Sequence, residues 1–129
     1  MTGLTNNMNW IGGWTLMLLG LASGVWMGLF FHRSDFLGGF NSWPRRCVRL
    51  GHIALMALGM LNLIYALAVR GDPTAGLPDL LASPAFLIAG ISMPAACFLC
   101  AWRRLLLPIY VLPVVALAAA LALMLWRSL

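Results

Sequence analysis

The sequence predicts an all-α integral membrane protein, a four-helix bundle with both termini on the non-cytoplasmic side. Three observations carry that expectation. Hydrophobic residues make up 63% of the chain and charged ones 9%, at a mean hydropathy of +0.95, outside the range of soluble domains. Four apolar stretches are each long enough to cross about 30 Å of hydrocarbon. The arginines gather at the ends of those stretches, six of the eight on one side of the expected topology.

The first stretch runs from Trp10 to Phe31, after an uncharged polar segment, Met1 to Asn9. A cleaved leader would need a positive start, a short apolar run and a small-residue cleavage site, so this is read as a span. Trp10 and Trp14 suit the interfacial belt at its start. Gly20, Gly24 and Gly28 repeat every four residues with Ser23 beside them, a ridge that lets a second helix backbone come close. Packing within the chain is the first expectation for that ridge, and a homo-oligomer seam the second.

His32 to Cys47 reads as a connection along the membrane surface, because Gly38-Gly39 and Trp43-Pro44 break helices and Phe36, Phe40 and Trp43 suit the headgroup layer. The second span is Val48 to Val69, stopped by Arg70-Gly71-Asp72-Pro73. A polar loop through Ser83 leads to the third span, Pro84 to Trp102, with proline in its first turn and Pro94 in its middle, where a kink is expected. Arg103 and Arg104 close it with a tight turn, and Leu105 to Trp126 is the fourth. These four spans form a single transmembrane domain.

The side with Arg33, Arg45, Arg46, Arg49, Arg103 and Arg104 opposes a side with only Arg70 and Arg127. By the positive-inside rule the first side is cytoplasmic, in a bacterial-type inner (plasma) membrane. The net charge of +5 does not point to nucleic acid, since the arginines mark helix ends and form no aromatic-interleaved surface. Three cysteines in no regular spacing give no disulfide framework. Asp35, Asp72 and Asp79 all lie outside the apolar runs, so a proton relay through membrane carboxylates is not expected.

Within the expected spans His52 and Asn62 are the strongly polar side chains, and such groups turn to a bundle interior or a functional site. At 100° per residue His52, Met56, Gly59 and Ala66 share one broad face with Asn62 at its edge, about 15 Å deeper than His52 and near mid-membrane. Asn62 is expected to make an interhelical hydrogen bond. His32 and His52 lie near the same membrane face, where two imidazoles from neighbouring helices would suit the axial positions of haem b, with Arg45, Arg46, Arg49 or Arg33 for its propionates.

Cys47, Cys97 and Cys100 approach that face too, but a thiolate inside an apolar helix is desolvated and disfavoured, and packing is their expected role. The methionines need no copper to explain them. His32, Ser34 and Asp35 match no catalytic spacing, so no stand-alone enzyme is expected.

Two function classes follow. The first is an anchor or electron-transfer subunit of a larger membrane complex, with haem b between His32 and His52 and a basic rim that docks lipid headgroups or a peripheral subunit. The second is a small-molecule or ion pathway near Asn62, Pro94 and Pro113, which would need polar residues along a helix face that Ser92 alone hardly supplies.

Overall fold

The structure, a computed structural model, describes residues 2–72 and 76–129, with side chains from residue 7 onward. Four α-helices follow one another: α1 (Thr2–Phe30), α2 (Trp43–Ala68), α3 (Leu77–Trp102) and α4 (Val111–Ser128). A 3-10 turn at Phe36–Gly38 lies between α1 and α2, and a longer one, Arg104–Tyr110, leads into α4. All four helical segments are long and apolar enough to cross a membrane.

All four helix starts differ from the expected spans, that of α4 because the 3-10 stretch Arg104–Tyr110 occupies the first residues of the expected fourth span, and the other three each for a local reason. The polar residues before Trp10 do not stop α1, because no proline interrupts residues 2–9. Trp43-Pro44 reads as a breaker, yet proline in the first turn lacks only an N–H that would be unpaired anyway, so α2 begins there. In α3 that first-turn position belongs to Pro78, and Pro84 sits inside the helix, a correction to the expected start. Asp79, in the first turn of α3, accepts from the Gly76 amide through Oδ2 at 3.1 Å and suits the positive helix end. Pro73 of the expected stop signal lies outside the described residues.

Packing runs in chain order: α1 on α2, α2 on α3, α3 on α4, with a lighter contact of α1 on α3. Half of the apolar stretch in α2 is buried but only 11% of that in α4, which therefore relies on its surroundings to cover Val115, Leu121, Leu125 and Trp126. Backbones come closest at Gly13 and Gly59, where a Cβ on Gly59 would lie 3.0 Å from the Gly13 carbonyl oxygen. The expected ridge divides. Gly20 and Gly24 face Met56 and His52 of α2, whereas Gly28 has nothing of this chain within 4 Å of a would-be Cβ.

At the end holding both termini, Tyr65 donates to the Asp79 carbonyl at 2.7 Å, and Arg127 pairs with Asp72 and, at 3.1 Å, with Asp79. These contacts fasten the last turn of α4 to the start of α3. Tyr65, Phe86 and Ala120 form an apolar cluster just below them.

Candidate functional site

Three groups of polar residues stand out. The first lies between α1, α2 and α3, where Asn9 and Asn62 are fully buried and Ser83 nearly so. Asn9 Nδ2 donates to Asn62 Oδ1 at 2.8 Å and to the Ser83 carbonyl at 3.1 Å, and the Ser83 hydroxyl donates back to Asn9 Oδ1. Asn62 Nδ2 donates to the carbonyls of Leu58 at 2.9 Å and Phe86 at 3.1 Å. Every polar atom of both amide side chains is thus occupied, which is what makes burial of two amides tolerable. The interhelical bond expected of Asn62 is present, but Asn62 is six residues from the end of α2, roughly 9 Å, and so nearer the terminal end than the middle of its helix.

Asn9 was not among the expected interior residues because it precedes the first tryptophan. Its signal was available: it continues the row Gly13, Gly20, Gly24 by one turn, on the face α1 turns to α2.

The second group surrounds His52, half-buried against α1. Its Nδ1 lies 2.9 Å from the Gly20 carbonyl oxygen and 3.0 Å from Ser23 Oγ, and Ser23 itself donates to that carbonyl at 2.7 Å. A carbonyl only accepts, so Nδ1 carries the proton and a neutral ring leaves its lone pair on Nε2. The imidazole rests on Gly24, filling the space a Cβ would take. His32 is elsewhere: it lies in the turn after α1, exposed, eight residues beyond Gly24, or about 12 Å along the axis. No contact joins the two histidines among the described residues, and of the expected glycine ridge Gly20 is covered by Met56 and Gly24 by His52, while Gly28 stays open. Among the described residues no three His, Cys, Asp or Glu side chains gather as a metal site.

The third group is the arginine-rich end. Arg45 is buried, with its guanidinium between the rings of Phe31 (4.5 Å) and Phe40 (4.4 Å). It donates to the carbonyls of Phe31 and Arg33 at the end of α1, so it acts as the peg around which the 31–42 connection folds. Leu37, Gly38 and Gly39 all take positive φ in that connection, and the Ser42 hydroxyl holds the Leu37 carbonyl at 2.7 Å. Arg46 and Arg49 point outward and are exposed, as are Arg33, Arg103 and Arg104, the last lying over the Trp43 ring at 5.0 Å.

Behind this surface Cys47 and Cys100 pack with Val48 and Ala101, and Trp43 Nε1 donates to the Cys100 carbonyl at 2.8 Å. The cysteines, Cys97 included, are buried and free. Among the described residues no polar stripe runs along a helix face: Thr15 and Ser92 return their hydroxyls to carbonyls of their own helices.

The distribution of charge is the most one-sided feature of the molecule. Six arginines and Asp35 stand at one end, while at the other Arg70 and Arg127 are balanced by Asp72 and Asp79. The whole net charge of +5 therefore belongs to the first end. Neither protein-family models, nor proteins of curated function, nor solved structures match the chain.

Proposed function

We propose that this chain is an integral membrane anchor, with both termini on the non-cytoplasmic side of a bacterial-type inner membrane, whose cytoplasmic arginine-rich end docks an acidic peripheral subunit. The observation that carries the reading is the segregation of the entire +5 charge to one end. Positive charge at that density fixes orientation during insertion and gives long-range attraction to an acidic partner. The rim is also built to last: Arg45 is spent inside the connection, holding Arg33, Arg46 and Arg49 on a folded platform.

Haem b between His32 and His52, with electron transfer through it, is the weaker reading, since the described contacts of His52 are with Gly20, Ser23 and Gly24 of α1 and His32 lies exposed past the end of that helix. A pathway through the bundle is weaker as well, because Asn9, Asn62 and Ser83 satisfy one another and offer water no continuous row of partners.

Asn41→Cys, in the connection at the arginine-rich end, and Ser128→Cys, at the terminal end, test the orientation with a membrane-impermeant maleimide on intact cells. The native thiols are buried and give a low background. Labelling of Ser128→Cys alone is expected; labelling of Asn41→Cys alone would overturn the orientation and with it the docking side.

A further inference from the structure

A lateral groove of about 460 Å³ opens between α1 and α3, where those helices touch only lightly. Gly12, Leu19, Leu87, Ile91, Ala95 and Phe98 line it, and it extends over twelve residues of each helix, about 16 Å from first to last. The two hydroxyls on its wall, Thr15 and Ser23, are already donated to carbonyls of α1, so the groove offers nothing to a polar ligand.

Its dimensions suit an alkyl chain. The length is about half of the roughly 30 Å hydrocarbon core, the depth of one leaflet.

The groove also has a polarity. On α3 its face runs through Leu87, Ile91, Ala95 and Phe98, and the next residue in that row is Trp102, 73% exposed at the helix end. Arg103 follows, exposed and without an ion pair or side-chain hydrogen bond among the described residues. Both residues stand at the end of α3 just beyond the groove's Phe98, at the level where a headgroup phosphate and its glycerol lie. We propose that the groove holds one acyl chain of an anionic phospholipid from the leaflet at the arginine-rich end, with its phosphate against Arg103.

Native mass spectrometry of the full chain, released from micelles containing equal phosphatidylglycerol and phosphatidylcholine, tests this. One bound phospholipid per chain is expected, with phosphatidylglycerol preferred about fivefold, the value of one arginine near an anionic surface. Ala95→Trp, which fills the groove from an exposed wall position, is expected to abolish retention, and Arg103→Gln to keep a lipid while losing the preference. Leu19→Trp, from the opposite wall, replaces Ala95→Trp if circular dichroism shows the latter misfolded. Retention unchanged by either groove-filling substitution, a wild-type chain carrying no lipid, or a dimer that excludes lipid would overturn the proposal.

Discussion

Asn9 and Asn62, fifty-three residues apart, share a 2.8 Å hydrogen bond in a site from which water is excluded. Each also reaches a carbonyl of α3, so the pair fixes three helices at one level. Interhelical bonds of this type contribute about 0.6 kcal/mol on average and up to about 1.7 in lipid-like surroundings. Asn62→Ala is expected to cost about 1 to 2 kcal/mol in denaturant titration in micelles. A double-mutant cycle with Asn9→Ala is expected to give a coupling of at least about 0.5 kcal/mol. Strict additivity would mean that the two amides act separately.

The glycines divide sharply by what faces them. At Gly59 an added Cβ would meet Met17 at 2.9 Å and the Gly13 oxygen at 3.0 Å, and the backbone atom cannot move aside without separating the helices. Gly59→Val is therefore expected to destabilise α1–α2 packing by about 2 kcal/mol or more. Gly28→Ala, with nothing of the chain within 4 Å, is expected to be neutral within about 0.5 kcal/mol in the same titration. A large loss at Gly28 would place a second copy or partner helix against it.

Among the arginines, Arg45 differs from its neighbours although the sequence writes Arg45 and Arg46 alike. Arg45→Ala strips the Phe31 and Arg33 carbonyls of a charged donor and leaves two aromatic rings without the plane between them. Limited proteolysis at residues 32–42 is expected to accelerate at least tenfold in Arg45→Ala and to remain near wild type in Arg46→Ala. Arg45→Lys is expected to restore little, because an ammonium cannot span both carbonyls while stacking between the rings.

His52→Ala separates packing from cofactor chemistry. Losing the Gly20 contact and the ring that covers Gly24 is expected to cost about 1 to 2 kcal/mol, with no visible spectrum to lose. A Soret band in the purified wild-type chain that vanishes in both His32→Ala and His52→Ala would show instead that the histidines meet around haem.

Much of this molecule is legible in the sequence, and the exceptions each have a cause. Apolar length and arginine clustering give four helices and their order because hydrocarbon thickness and insertion charge act on whole segments. The inward face of α2 follows from helical spacing alone: His52, Met56 and Gly59 do meet α1. Asn9 depends on partners far along the chain, and one segment read by itself holds no sign of Ser83 behind it. The Pro78 start of α3 and the burial of Arg45 are local, but hydropathy does not separate Pro78 from Pro84 or Arg45 from Arg46. Membrane depth alone suggests the His32–His52 pairing, whereas rotation and reach set what a side chain touches, and His52 touches Gly20.

The docking role rests on charge that the fold leaves exposed, so reversing that charge at Arg46 and Arg49 is the decisive experiment. Both residues are exposed and neither hydrogen-bonds the connection as Arg45 does, although the Arg49 guanidinium lies 5.9 Å from the centre of the Phe31 ring. The mass of the tagged chain's assembly in native membrane extracts would be compared for wild type, Arg46→Glu/Arg49→Glu, and Arg70→Glu at the opposite end. The wild-type chain is expected in an assembly well above its own 14.0 kDa that contains an acidic protein, unchanged in Arg70→Glu and dissociated in the double reversal. An assembly of the same mass and composition in all three, or a wild-type chain that migrates alone, would contradict the anchor reading.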